Sequence, residues 1–360
     1  MNRKIFENRR EQARQIMCNR KLGALLISLP ANRYYLSGFE LHDPQINESS
    51  GYLLLMANGR DILFTDSRYY DAALRLWPKE DLHIYRGLAL ASEEINQVLR
   101  GRVWAGAHVG FEAKIMPLAF FEKFSAGLPV QAADGLVEDL RIIKDSSEIE
   151  IMRQSAHLNH QLMRKMPDFL LPGRTEAEVA WDIEQFFRNH GATENAFSPI
   201  VAIGPNAALP HAIPGSDAIK EECPVLIDVG ARYHDYNSDQ TRTFWVGQSP
   251  SCEFERALRQ VQGAQAAAID LIKPGAVCKD IYFAAFNYLQ KEGVADCFTH
   301  GLGHGVGLET HEAPTFGRSS AQVLQPGMVV TVEPGLYYPH WGGVRWEYMV
   351  LVTEDGCEVL

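Results

Sequence analysis

The run LIDVGARYHDYNSDQTRT, residues 226–243, carries two aspartates beside apolar, β-prone segments. Val225–Val229 and Thr241–Val246 read as two strands joined around Tyr233-His234. A hairpin centred there sets Asp228 directly opposite Asp239, on one face and about 5 Å apart. Two ionised carboxylates at that spacing destabilise a sheet unless a cation lies between them or one of them takes a proton. A solvated sheet edge would tolerate the pair, but the apolar neighbours on both strands argue for burial.

Working outward, three more residues have the same character. Glu333 ends the strand Met328–Val332, just before Pro334-Gly335. Glu347 falls inside the run Val344–Val352, where the two-residue strand period puts it on a face with Arg345, Met349 and Leu351. It reads either as the acid of a buried ion pair or as a metal ligand supported by Arg345. His304 lies within Gly301-Leu302-Gly303-His304-Gly305-Val306-Gly307, where glycines let backbone approach a ligand closely. A phosphate loop would need a following Lys-Ser/Thr and a βαβ frame, and neither is present.

His300 and His311 flank His304, and His211 follows Pro210, so the neighbourhood can supply proton donors as well as a ligand. Carboxylates with one imidazole suit manganese first, then cobalt, zinc or iron(II), rather than a thiolate-bound metal. Five such ligands can hold two divalent ions, which turn a shared water into hydroxide near neutral pH. The implied chemistry is metal-assisted hydrolysis of an amide or ester. No GxSxG or catalytic-cysteine signature competes with it.

An internal duplication surrounds these residues. A helix ends in Leu171-Pro172-Gly173, and the next carries Val179, Ile183, Phe187 and Gly191. At 102 positions further on, a helix ends in Lys273-Pro274-Gly275, and the next carries Ile281, Ala285, Leu289 and Gly293. Each copy continues into a histidine segment and strand-borne acids. The expected fold is an α+β domain over 138–360 with pseudo-twofold duplicated halves. Asp145-Ser146-Ser147-Glu148 near its start has the form of a capping box, opening a helix to about Lys165. Over 1–137, alternating helix and strand patterns predict an α/β N-terminal domain, with strands at Ala24–Leu29, GYLLLMA and DILFTD and helices near Arg68–Leu76 and Ala91–Leu99.

A formal net charge of −11 without a basic block argues against nucleic-acid binding. No run reaches the ~18 apolar residues of a membrane span, and the N-terminus lacks the apolar core of a secretory signal. The six cysteines are scattered with no CxxC pair, as expected of reduced thiols in a cytoplasmic protein.

Several segments match a known family in order. They are Asn32-Arg33-Tyr34-Tyr35-Leu36-Ser37-Gly38-Phe39, Thr65-Asp66-Ser67-Arg68-Tyr69, Asn206 through Pro210-His211, Ser238-Asp239-Gln240-Thr241-Arg242-Thr243, Gly303-His304-Gly305 through His311-Glu312-Ala313-Pro314, and Glu333-Pro334-Gly335. In these the chain resembles the Xaa-Pro peptidases of the pita-bread fold, the prolidases and aminopeptidase P-like enzymes. The resemblance implies that Asp228 binds one metal, Asp239 and Glu347 bridge two, and His304 and Glu333 bind the other. It further implies Glu333 as proton shuttle and His211 and His311 as donors to the substrate carbonyl. His300 and Arg345 would support the ligands or contact substrate. The substrate would be a proline-containing peptide cut before proline, and the protein a homodimer.

Two positions depart from the family pattern: Tyr348 replaces an Asp or Asn, and Asp235 replaces a Gly. Dipeptidase and aminopeptidase both remain open. A methionine aminopeptidase would lack the N-terminal domain and the Asn206–His211 segment. A creatinase or a non-catalytic peptide- or protein-binding homologue would have lost ligands that this chain keeps.

Overall fold

The computed structural model describes residues 3–45, 48–104 and 106–360. The chain divides into two units, Met1–Arg141 and Ile142–Leu360.

The first unit is built on a mixed six-stranded sheet of order β4-β3-β2-β1-β5-β6. Its strands are β1 (Leu22–Ile27), β2 (Gly51–Met56), β3 (Ile62–Thr65), β4 (Leu82–Ile84), β5 (His108–Phe111) and β6 (Val130–Ala132). All of β1 is buried, as its unbroken apolar run requires of a strand covered on both faces. Helices α1 (Arg3–Asn19), α2 (Pro30–Ser37), α3 (Tyr70–Leu76), α4 (Ala91–Leu99), α5 (Leu118–Phe124) and the single turn α6 (Glu138–Arg141) complete the unit. β1 starts and stops two residues before the expected Ala24–Leu29. The Glu112 carboxylate accepts the backbone N–H groups of Ser28 and Leu29, each at 2.6 Å, and so draws that segment into the start of α2.

The second unit opens with the capping box. Asp145 accepts from the N–H groups of Ser147 and Glu148 and caps α7 (Ser146–Phe169), which continues past Lys165 with Pro167 in its last turn. The duplication is visible in the backbone. Gly173 and Gly275 have φ of 91° and 86°, and Gly191 and Gly293 have 99° and 73°. Helix α8 (Glu176–Asn189) of the first half corresponds to α10 (Cys278–Lys291) of the second, which follows α9 (Cys252–Ile269). The Gly173 N–H donates to Ile219 O at 2.8 Å, and the Gly275 N–H to Leu324 O at 2.9 Å. Val179, Ile183 and Phe187, and in the second half Ile281, Ala285 and Leu289, are completely buried. Each triplet anchors its own half's hydrophobic cluster.

The strands of the first half form a small sheet and a main one. β7 (Glu194–Asn195), β10 (Ala231–Tyr233) and β11 (Tyr236–Asn237) make the small sheet; β8 (Ile200–Ile203), β9 (Cys223–Val229) and β12 (Gln240–Val246) make the main one, in the order β12-β9-β8. The second half has a five-stranded sheet of order β14-β13-β15-β18-β19 and a β16-β17 ribbon. These strands are β13 (Gly303–Gly305), β14 (Glu312–Phe316), β15 (Val329–Val332), β16 (Gly335–Tyr338), β17 (Gly342–Arg345), β18 (Tyr348–Val352) and β19 (Cys357–Val359). This is the expected pita-bread arrangement: two related halves, each contributing helices and a sheet. No helix among the described residues is long and apolar enough to cross a membrane.

Candidate metal centre

The hairpin of residues 226–243 turns one residue later than its sequence suggests. Tyr233 pairs with Tyr236 and Arg232 with Asn237, so His234-Asp235 form the two-residue turn. Their φ angles, 45° and 73°, are both left-handed, as the tight hairpin turn that matches strand twist demands. Asp235 therefore stands where glycine is favoured because that conformation is needed, and aspartate is among the side chains that tolerate it. The shift moves the register by two. Asp228 faces Thr241 across the ladder, not Asp239. Asp239 lies two residues from Thr241, so it shares the Asp228 face and meets it diagonally.

The Val344–Val352 run is likewise not one strand. It breaks at Trp346-Glu347, where the chain leaves the β16-β17 ribbon and joins the five-stranded sheet. Glu347 sits in that gap, and Asp239 sits in a matching gap, Ser238-Asp239, between β11 and β12. The Glu347 N–H donates to Thr241 O at 3.1 Å, and the Asp239 N–H to Met349 Sδ at 3.3 Å. Freed from the ladder, both acids turn into one buried centre.

Ligand atoms of Asp228, Asp239 and Glu347 lie within 4.8 Å of one another, and all three residues are buried. Asp228 Oδ2 accepts from Arg345 Nη2 at 2.6 Å, and Glu347 Oε2 from Thr241 Oγ1 at 2.7 Å. Asp228 Oδ1 and Glu347 Oε1 are buried with no protein donor. His304 Nε2 is 3.3 Å from Glu333 Oε1 and 3.7 Å from Asp239 Oδ2. Its Nδ1–H donates to Gly305 O at 3.0 Å, which fixes the ring with Nε2 directed at the acids. The close approach depends on Gly303, where a Cβ would sit 2.0 Å from Thr331 O.

Electrostatics make the same point. Burial, then the charges of Glu347, Asp228 and Glu333, push Asp239 well above the usual carboxylate range. Burial, then Glu333 and Asp228, do the same to Glu347. Burial also acts to raise Glu333, but the His304 hydrogen bond and charge outweigh it and hold its pKa at about 2. Four acids with one arginine and one imidazole cannot all be ionised without further positive charge. Two orphaned buried oxygens, an imidazole nitrogen directed at the acids and uncompensated carboxylates fit a divalent cation centre.

Asp228, Asp239, His304 and Glu333 line a cavity of about 580 Å³. Phe197, Ile200, Ala212 and Ile213 add apolar lining, and His211, His300 and His311 line the same cavity. Sequence reasoning missed the hydrogen-bond chain beneath it. Arg345 Nη1 donates to Tyr337 Oη at 2.9 Å, and Tyr337 Oη–H donates to His300 Nε2 at 2.8 Å. The His300 Nδ1–H donates to Gly301 O at 2.6 Å. Burial lowers the pKa of His300 and of His311, keeping both neutral. Thr241 was also missed as a contact, although the correct register would have put it opposite Asp228. It donates to Glu347 and accepts from Arg345 Nε at 3.0 Å. Tyr348 does not line this cavity; its ring stacks on the Arg242 guanidinium at 4.1 Å.

Residues 150–354 match the model of metallopeptidase family M24, and residues 9–143 match the creatinase/prolidase N-terminal domain. The chain belongs to family M24. It is 33% identical to the Xaa-Pro dipeptidase of Pyrococcus furiosus, over 99% of this chain and 98% of that one. The structure of an Xaa-Pro dipeptidase from Bacillus anthracis superposes with a TM-score of 0.89 at 32% identity, covering 98% of this chain and 97% of that one. An X-Pro aminopeptidase from Thermotoga maritima MSB8 gives 0.87 at 29% identity, covering 97% and 96%. The resemblance to the Xaa-Pro peptidases is thus borne out along nearly the whole chain, and this M24 metallopeptidase is an enzyme of that family.

Proposed function

We propose that this M24 metallopeptidase is an exopeptidase that hydrolyses the bond before proline at a two-metal centre. The observation that carries the metal reading is the buried cluster of Asp228, Asp239 and Glu347, with two oxygens lacking any protein donor. Asp228 would hold one ion, Asp239 and Glu347 both, and His304 and Glu333 the second. Two divalent ions supply Lewis acidity and a water that is nucleophilic near neutral pH, manganese being the first candidate and cobalt, zinc or iron(II) the others.

The chain's own residues do the rest. Glu333 lines the cavity beside His304, so as a carboxylate it would take the proton of the attacking water and pass it toward the leaving nitrogen. His211 and His311 reach into the cavity as donors for the substrate carbonyl oxygen as negative charge develops there. Arg345 orients Asp228 through Nη2, and the Arg345–Tyr337–His300 chain fixes the cavity floor. The apolar lining suits a proline ring. The proline preference rests on the dipeptidase and aminopeptidase relatives and not on the lining alone. All six cysteines are free, which supports a reducing compartment such as the cytoplasm; the homodimer follows from the family resemblance.

The test is an activity panel on metal-reconstituted protein, comparing Xaa-Pro dipeptides, Xaa-Pro-Yaa tripeptides and matched peptides without proline. Cleavage confined to the proline peptides is expected. Dipeptide preference identifies a dipeptidase and tripeptide preference an aminopeptidase. Proline-independent cleavage would refute the specificity, and an inability to bind any divalent metal would refute the enzyme reading in favour of a binding homologue.

A further inference from the structure

The segment that carries His211 is anchored from behind by a residue that no role has yet been given. After β8 the chain leaves the sheet at Gly204 and rejoins it only at Cys223, and on the way it presents Pro210, His211, Ala212 and Ile213 to the cavity. Much of this loop is open to solvent, with Ile213 89% exposed. Its two ends meet at Glu176, on the first turn of α8, which is only 1% exposed. Oε1 accepts from the Ile203 N–H and from Asn206 Nδ2, each at 2.9 Å. Oε2 accepts from the Gly215 N–H at 2.9 Å. Asn206 Nδ2 also donates to Asp217 Oδ2 at 2.8 Å, closing the clasp on its outer side.

The duplication provides an internal control. At the position 102 residues on, the second half has Cys278, completely buried. The backbone there is the same: the Glu176 N–H donates to Asp217 O at 3.0 Å and the Cys278 N–H to Gln322 O at 2.9 Å. The fold at the start of this helix therefore needs no carboxylate. Only the half with the His211 loop has one, and its two oxygens go to the two ends of that loop.

We infer that Glu176 is a positioning residue: it clasps the loop of residues 204–215 and thereby sets His211 over the metal centre. This rests on the reading of His211 as a carbonyl donor. A carboxylate is suited to the task because its two oxygens accept in two directions at once. Glutamine keeps the size but turns an N–H₂ group toward one of the donors, so one side-chain hydrogen bond to the loop is lost and that end is loosened. If the donor affected is that of Gly215, this residue is then held only by the Ala177 N–H to Gly215 O bond at 3.0 Å.

The experiment is a double-mutant cycle on the full-length, metal-loaded protein with an Xaa-Pro peptide. Glu176→Gln is expected to lower kcat by about 10- to 100-fold, the cost of misplacing a catalytic group by roughly an ångström, with bound metal unchanged. In a His211→Ala background, the same change should cost no more than about twofold, because nothing remains for it to position. Multiplying losses in the double mutant, or a wild-type kcat in Glu176→Gln while His211→Ala is impaired, overturns the inference. A wild-type kcat in His211→Ala fails at the earlier step, the role of His211 itself. If Glu176→Gln does not fold, Asn206→Ala removes one donor of the clasp from the less buried side. It should give a smaller loss with the same dependence on His211, and a loss that persists at full size in the His211→Ala background overturns the inference.

Discussion

Helix α8 begins with Glu176, and helix α10, 102 positions on, begins with Cys278; strand β8 carries Ala202 where β13, by the same offset, carries His304. The two halves share their turns, helix faces and backbone bridges, yet each has given up something the other keeps. The second half puts an imidazole on its strand, against the acids. The first half leaves that position as a buried alanine and brings His211 in on a loop, which then needs a buried acid to hold it. Symmetry built the scaffold, and departures from symmetry built the site. Only the acids are contributed evenly: Asp228 and Asp239 from one half, Glu333 and Glu347 from the other.

That division can be broken experimentally. The largest effect should come from the acids. Asp239→Ala and Glu347→Ala should each abolish turnover while circular dichroism shows a retained fold, since each removes an oxygen ligand from the shared centre. Near-wild-type turnover in either variant would mean that the acid removed is not needed at the site. His304→Ala should come next, weakening metal binding by more than about 100-fold, beyond what loss of a merely supporting contact costs; titration with a competing chelator measures it.

Arg345→Met should lower the urea-unfolding stability of the metal-free protein by about 3 kcal/mol, because Asp228 is then buried without its partner. An unchanged midpoint would remove the argument for Arg345 as the support of Asp228. The smallest effect is expected at Cys278→Ala, about 1 kcal/mol of stability and no change in kcat, since this half has no loop to clasp.

Cys278 also predicts a pH dependence. Burial pushes its thiol up to about 11, above the ordinary value of about 8.5 for an unfolded chain. A raised acid favours the folded state below the unfolded pKa, and that contribution is lost as pH rises through the folded one. Wild-type stability should therefore fall more steeply than that of Cys278→Ala between pH 8.5 and 11. Parallel pH profiles would show the thiol to be solvated.

Most of the architecture is legible in the sequence because it rests on local rules. Pro-Gly stops and helix-spaced apolar residues mark both copies, and a capping box marks the start of α7. The five candidate ligands were legible as buried-strand acids and a glycine-flanked histidine, and the structure brings them together. The register of 226–243 was not legible. The turn falls on His234-Asp235, two non-glycine residues in left-handed conformations, and without a glycine the only signal was the tolerance of His and Asp for that conformation. The break at Trp346-Glu347 was hidden for a related reason: the apolar pattern runs on through it although the strand changes sheets. Tyr337 and Thr241 gave no signal because their importance comes from contacts 8 and 106 residues away in the chain.

The two backbone tethers at the acids have one more consequence. The Asp239 amide is held by Met349 of the second half, and the Glu347 amide by Thr241 of the first. Each half thus grips the other at the residue it contributes to the centre. Prying the halves apart would withdraw an acid from the cluster with every tether broken, so opening of one half is coupled to the other at this point. In amide hydrogen exchange, the amides of Asp239 and Glu347 should therefore exchange together.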